Sequence, residues 1–447
     1  MFSFNKKAQV APVAEDKVAG VYKRRQLGVL IATSFSYIGY YIIRLVFTTE
    51  QVSIMKNYGF DIGQIGLILS TFGVGYGIAK LFMGALADKS NARWFLAGGL
   101  YLSAFFNLLI GFTQNFFVIL FLMLFIAITQ SMGAPACQRQ ISIWFSKKTR
   151  GTAYSIWSSA HNAGAFFCVL SIELATFLFG GSLTMVFVTA SVISIILATL
   201  MFFINTDKPE TVGLPDIGTY SGYVEVDAKG EKTNKATTDM SIWKILVNSI
   251  LLNKVVWLVT LTSMSFYIVR YGVMSWIPSY LPTKGFSVTW AKWLVGIFEV
   301  TAVPGVIILG MVSDFLDGRR AMICLISALG TLGCLTVYFT TGNHIALLIA
   351  LFAMGTLIYA PITLVGLMIN EAVPNYAVGL SSGFMGFFQY IFGETIATAV
   401  IGTLVRSYGW SMASNVIYGA TIFAIILLII LVFEEKKIRA MEASVNH

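Results

Sequence analysis

At 447 residues, 57% of them hydrophobic and only 11% charged, the chain lies far from a soluble globular composition, in which charged residues make up about a quarter. Its net charge of +9 is dispersed over alternate polar segments rather than gathered into one basic face, so membrane topology explains it better than nucleic-acid binding. Cys137, Cys168, Cys324 and Cys334 lie in or beside apolar runs without metal-ligand spacing and read as small hydrophobes.

The chain opens with a polar, basic arm over 1–26 that carries Lys6, Lys7, Lys17, Lys23, Arg24 and Arg25. Apolar runs then predict helices over 27–48, 62–86, 94–112, 116–136, 152–176 and 183–204, a six-helix bundle over 27–204. Runs of about 20 residues suffice to cross a hydrocarbon core about 30 Å thick. The first run lacks a small-residue cleavage pattern, so it reads as a retained helix. Residues 205–250 form a flexible cytoplasmic linker with lysines, prolines and glycines, ending in an apolar stretch suited to lie along the interface. A second bundle over 251–433 follows, with helices over 256–281, 290–312, 321–340, 346–369, 378–403 and 412–433, and then a tail over 434–447. The fold class expected is an all-α polytopic membrane protein with twelve transmembrane helices in two six-helix, pseudo-symmetric bundles. Lysine and arginine collect in the arm, the 88–93 turn, the 138–150 loop, the linker, the 314–320 turn and the tail. That bias predicts both termini to be cytoplasmic.

Two marks repeat at one offset. Tyr40-Tyr41-Ile42-Ile43-Arg44-Leu45 has a near copy in Phe266-Tyr267-Ile268-Val269-Arg270-Tyr271, and the 226 positions between Arg44 and Arg270 also separate Asp88 from Asp314. An arginine at the centre of a membrane helix costs about 2.5–3.5 kcal/mol on insertion scales, so it normally faces the bundle interior or a polar path. A guanidinium presents a planar fork to phosphate or carboxylate and stays charged when partly buried. Arg44 and Arg270 thus predict a central dianion site with one fork from each half. The competing reading is structural pairing with Glu299 and Glu394.

Other polar residues fall near the middle or inner half of the predicted helices. His161, in Ser158-Ser159-Ala160-His161-Asn162-Ala163-Gly164, can bond a phosphate oxygen. Lys80 either adds positive potential below the site or snorkels to the interface. Tyr37, Tyr41, Tyr76, Tyr267, Tyr359 and Tyr390 can turn hydroxyls toward a cavity, and the buried amide of Gln130 demands partners. Glu299 is placed to balance Arg270, and Glu394 to select the organic part of a ligand. Asp88 and Asp314, beside basic residues at the helix ends, read as conformational locks. No glycine-rich nucleotide loop, histidine-rich metal cluster or serine-histidine-acid constellation points to an enzyme, and neither a cofactor nor a metal is expected.

The stretches Tyr40 to Arg44, Lys80 with Met83 to Arg93, Gln130 to Gln138, Trp144 to Gly151, Trp157 to Gly164, Tyr267 to Tyr280 and Tyr359 to Pro374 together resemble the major facilitator superfamily. Within it the chain is most similar to the organophosphate:phosphate antiporters, which include glycerol-3-phosphate and hexose-6-phosphate transporters. The resemblance implies exchange of a phosphate monoester for inorganic phosphate by alternating access in a bacterial inner membrane, with no nucleic acid and no cofactor. In such a carrier, repulsion between Arg44 and Arg270 in the empty state would slow its return and make exchange obligatory. A monomer suffices, because one chain carries both halves of the site. Arg44 and Arg270 match the paired phosphate-binding arginines, and His161 matches the central histidine. Tyr37, Tyr41, Tyr76, Tyr267, Tyr359, Tyr390, Lys80 and Gln130 match cavity positions, and Glu299 matches the acid beside the second arginine. The chain departs from the family at Leu45, where lysine is common, and at Ala134, where the glycerol-3-phosphate transporter has tryptophan. Glu394 is an additional acid. The alternatives are a membrane sensor of sugar phosphate with weak transport, and a different organic-anion facilitator.

Overall fold

The computed structural model describes residues 11–221, 242–316, 319–373 and 377–445, except for some side chains within helices, among them those of Asp88 and Asp314. The locking role expected of those two aspartates therefore lies outside the described residues. In chain order the helices are α1 (Glu15–Thr49), α2 (Gln51–Tyr58), α3 (Ile62–Lys89), α4 (Ala92–Ile110), α5 (Phe116–Gln130), α6 (Gly133–Trp144), α7 (Lys147–Phe179) and α8 (Leu183–Ile204). After short turns α9 (Ile217–Ser221) and α10 (Ile242–Ile245) come α11 (Lys254–Met274), α12 (Ile277–Tyr280), α13 (Val288–Phe315), α14 (Arg320–Thr340), α15 (His344–Glu371), α16 (Val378–Phe388) and α17 (Ile401–Val445). Two π-helical stretches, Gln389–Glu394 and Ile396–Val400, join α16 to α17. No strand occurs among the described residues.

Among the described residues, eleven segments are long and apolar enough to cross a membrane, and the last, Leu380–Lys437, is 58 residues long. At 1.5 Å per residue an unbroken helix of that size would reach roughly 87 Å, nearly three hydrocarbon thicknesses. The break at Gly409, whose φ of 76° interrupts the helix, divides it into two crossings and brings the spans to twelve. Large apolar side chains that point away from the protein, such as Phe117, Phe177, Phe203 and Phe315, give the outer surface a face suited to lipid.

The helix starts follow local chemistry. Asp61 and Gln64 form a reciprocal cap on α3, and Asn91, Asn115, Asn253 and Asn343 cap α4, α5, α11 and α15 through their side-chain oxygens. Some boundaries differ from the sequence reading. The helix of α1 begins at Glu15, within the expected arm, because the polar stretch there continues the same helical register. The helix expected over 116–136 is interrupted after Gln130 and resumes as α6 to Trp144, through part of the expected basic loop. Part of the expected linker is anchored: Asp207 accepts the Ala92 N–H at 2.7 Å and lies 3.8 Å from Arg139, while the Trp144 indole donates to the Thr206 and Asp207 carbonyls.

Helices α1 and α3 to α8 pack as one bundle, and α11 and α13 to α17 as the other. Two helix contacts dominate between them: α3 lies against α16, the 389–400 stretch and α17, and α7 lies against α13. Under the repeat α3 corresponds to α13 and α7 to the 378–400 region, so these contacts are equivalents of each other. Close approach rests on glycine. A Cβ at Gly66 would meet the Thr398 carbonyl oxygen at 2.5 Å, and one at Gly296 would meet Phe166 Cα at 3.2 Å.

Candidate functional site

The site forms where α1, α3, α7, α11, α13, α15 and the π-helical stretch converge. On α1, Tyr37, Tyr41 and Arg44 follow one another at helical spacing, so they share a face. Gly164 lets α7 approach that face: a Cβ there would strike Tyr41 Cβ at 2.5 Å. The approach seats His161 with its ring centroid 5.3 Å from that of Tyr41 and 6.3 Å from that of Tyr359, between the two bundles. Its Nδ1–H donates to the Ser158 carbonyl, a contact within α7 that leaves Nε2 of the neutral ring as an acceptor.

On the opposite side, α13 and α15 cross closely because Gly305 lies on Thr356 and Gly355 on Thr301 and the Phe298 carbonyl. That crossing brings Glu299 of α13 and Tyr359 of α15 to one point, where Arg270 of α11 meets both. Arg270 Nε donates to the Tyr359 hydroxyl at 2.7 Å, Arg270 Nη2 lies 3.3 Å from Glu299 Oε1, and the Tyr359 hydroxyl donates to that same carboxylate oxygen. Glu299 is fully buried, and its Oε2 has no hydrogen-bond partner among the described residues.

Arg44 is held differently. Its Nη2 donates to the Tyr271 hydroxyl at 2.9 Å and lies 3.4 Å from Glu394 Oε2, so both polar partners come from the other bundle. Its guanidinium carbon sits 4.6 Å from the ring centroid of Phe72, 4.9 Å from that of Tyr76 and 5.7 Å from that of Tyr390. Such ring faces attract cations and help offset the desolvation of a buried charge. The π-helical widening supplies Glu394. Gly393 lies so close to α11 that a Cβ would meet Tyr267 Cβ at 2.7 Å, and the loosened backbone is bonded by side chains, with the Trp276 indole donating to the Ala397 carbonyl at 2.8 Å. Single π turns of this kind are frequent at functional positions.

The structure therefore brings Arg44, Arg270, His161, Tyr41, Tyr76, Tyr267, Tyr359, Tyr390, Glu299 and Glu394 into one cluster. Lys80 lies at its edge, with Nζ 5.3 Å from the Tyr390 ring centroid and 5.9 Å from that of Tyr76. Tyr37 packs at a tilt against Tyr41 and Trp157 at the margin of the cluster. Gln130 turns its amide to the Tyr40 carbonyl at 3.0 Å, where it ties α5 to α1. Sequence reasoning missed Tyr271 and Phe72. Each lies four residues from a tyrosine already singled out, Tyr267 and Tyr76, so helical spacing was the available signal. No group of three or more metal-ligating side chains occurs among the described residues.

Residues 29–398 match the family model of the Major Facilitator Superfamily. The chain is 34% identical to the glycerol-3-phosphate transporter of Bacillus subtilis over 93% of its own length and 94% of that protein's. It is 31% identical to the hexose-6-phosphate:phosphate antiporter of Escherichia coli K12, with 90% of each chain covered. A crystal structure of a bacterial homologue of the human lysosomal transporter Spinster superposes with a TM-score of 0.68 over 91% of this chain and 95% of that one, at 15% identity, a likeness of fold alone. Membership makes this chain a multi-pass transport protein rather than an enzyme. With the fold, the repeat and these relatives in agreement, the chain belongs to the major facilitator superfamily and, within it, to the organophosphate:phosphate antiporter family.

Proposed function

We propose that this protein is a secondary antiporter that exchanges a phosphate monoester, hexose 6-phosphate or glycerol 3-phosphate, for inorganic phosphate in a bacterial inner membrane. The observation that carries the reading is the pair of buried guanidiniums, one from each bundle, in a single aromatic cluster. The glycerol-3-phosphate and hexose-6-phosphate transporters among its relatives support the same ligand class. The basic segments on the side of the termini favour a cytoplasmic location for both ends. One chain holds both arginines, so a monomer is the functional unit.

Phosphate binding then exchanges one set of anions for another. Each arginine already carries a carboxylate, Glu394 on Arg44 and Glu299 on Arg270, so an incoming phosphoryl group meets paired charges and desolvation is limited. This changes the account of obligatory exchange, because two paired arginines do not repel as two bare ones would. In the empty carrier the Arg44–Glu394 pair instead ties one bundle to the other and must open before the halves can rock. A phosphoryl group that bridges Arg44 and Arg270 releases that tie and lets the site be exposed alternately to the two sides. His161, beside Tyr41 and Tyr359, keeps its proton on Nδ1 for the Ser158 carbonyl and offers Nε2 as an acceptor to a hydroxyl of the ligand.

The test is uptake of radiolabelled phosphate into proteoliposomes preloaded with phosphate, with glycerol 3-phosphate and glucose 6-phosphate as competitors. Rapid exchange that one of the esters blocks is the expected result. Ester binding without exchange would replace the antiporter with a membrane sensor, and exchange of carboxylates alone would replace it with another organic-anion facilitator.

A further inference from the structure

The cluster holds one charge that a simple ester leaves unbalanced. Arg44, Arg270 and Lys80 contribute three positive charges, and Glu299 and Glu394 two negative ones. A phosphate dianion therefore overshoots neutrality by one. The strain falls on Glu394. When a phosphoryl group takes Arg44, the carboxylate 3.4 Å away loses its counter-ion while remaining buried. It has little room to withdraw: Gly73 is packed on it so closely that a Cβ there would meet Glu394 Cγ at 3.1 Å and Cδ at 3.3 Å. An unpaired buried carboxylate is costly, so a ligand that brings its own cation to Glu394 is held more tightly than one, such as inorganic phosphate, that does not. The surroundings suit a cation. Phe72, Tyr76 and Tyr390 already present ring faces to the Arg44 guanidinium, next to the same carboxylate.

We infer that the preferred ester carries an ammonium group on its organic part, which takes the place of the Arg44 guanidinium at Glu394 while the phosphoryl group occupies Arg44 and Arg270. The substrate class is an aminoalkyl or amino-sugar phosphate. Its net charge of one negative unit brings the cluster to neutrality. The inference rests on the reading of Arg44 and Arg270 as the phosphate-binding pair and names the partner of Glu394 within that site.

The experiment uses the full chain in phosphate-loaded proteoliposomes and two matched pairs of competitors: ethanolamine phosphate against ethylene glycol monophosphate, and glucosamine 6-phosphate against glucose 6-phosphate. Each pair differs by an ammonium in place of a hydroxyl. The ammonium member of at least one pair is expected to inhibit phosphate exchange about tenfold more strongly, as expected for one charge-assisted contact. Glu394→Gln should bring that ratio to near unity, and Glu394→Asp should retain part of it. Ester-induced Tm shifts of the purified wild-type and variant proteins give the same ratio where a variant has lost exchange. Equal inhibition within both wild-type pairs would overturn the inference, as would a preference that survives in Glu394→Gln. Proton uptake accompanying a hydroxyl ester would also overturn it, by making a proton the balancing cation. Phosphate exchange that neither member of either pair inhibits would sink the inference and leave phosphate recognition standing, whereas absence of phosphate exchange itself would sink the antiporter reading beneath it.

Discussion

Arg44 and Arg270 occupy matching positions in the repeat, yet their surroundings give them unequal freedom. Arg270 is fixed by Tyr359 and Glu299, both from its own bundle, and so moves with that bundle as a preset fork. Arg44 draws its polar partners, Tyr271 and Glu394, from across the interface. Replacement of Arg270 by lysine keeps the charge and removes the planar fork. With a charge-assisted bond contributing about 1.5–3 kcal/mol, loss of one predicts a fall in phosphate exchange of about 10- to 150-fold at subsaturating phosphate. Tyr359→Phe removes one neutral donor and acceptor and should cost about tenfold or less, mainly in apparent affinity. Wild-type exchange in Arg270→Lys would rule out bidentate recognition. The arginines and both acids were legible in the sequence, because a charge inside an apolar run needs a reason wherever it occurs. Tyr271 was not singled out, although its spacing from Tyr267 places it on the same face of α11; that its hydroxyl meets Arg44 of α1 is settled by packing between bundles.

At the level of helices, small residues decide what can touch. Gly63, Gly66, Gly73 and Gly77 lie along α3, and a Cβ at each would meet Arg406, Thr398, Glu394 and Tyr390 respectively. At Gly66 the obstacle is the Thr398 carbonyl at 2.5 Å, a backbone atom that cannot rotate away. Gly66→Leu should therefore force α3 from the 396–400 stretch, at an overpacking cost of about 1–3 kcal/mol. Gly84→Ala, at a position where a Cβ meets nothing within 4 Å, is the control. Thermal unfolding of the two variants in detergent checks the contrast: the first should melt several degrees below wild type and the second alongside it. Equal melting temperatures would mean that α3 is not held where the contact places it. The twelve crossings could be counted from apolar runs because bilayer thickness fixes their length. The interruption after Gln130 could not, since apolar residues continue on both sides and the break is supported by tertiary contacts, including Gln130 on the Tyr40 carbonyl. The π-helical stretch before α17 was hidden for a similar reason: its Ala397 carbonyl is bonded by Trp276, more than a hundred residues away in the chain.

Over the whole molecule, the bundles are tied at the central cluster and again toward the ends of the helices opposite the termini. There Lys292 of α13 pairs with Glu50 at 2.5 Å, Arg406 with Asp61 at 3.5 Å, and the Gln51 amide donates to the Ser275 carbonyl at 2.7 Å. The two ion pairs are not equivalent. The Arg406–Asp61 side chains are 61% and 38% exposed, and a pair so open to water contributes about 0–1 kcal/mol and weakens with salt. The Lys292–Glu50 side chains are 14% and 3% exposed, so removal of the lysine strands a buried carboxylate, which typically costs about 3–5 kcal/mol. Because the pair joins the two bundles, that cost falls on the state in which these ends are closed. Lys292→Ala should then shift the conformational equilibrium toward opening at this face by about two orders of magnitude or more, whereas Arg406→Ala should leave it within a few-fold of wild type. Spin labels at Lys56 and Trp290, both exposed near these ends, report the change as a longer distance population in pulsed electron resonance. A population that lengthens in Lys292→Ala but not in Arg406→Ala identifies the buried pair as the element that holds the bundles together on this side. The same distribution in wild type and Lys292→Ala would place the closing energy in the apolar and glycine contacts between α3 and the 389–400 stretch instead.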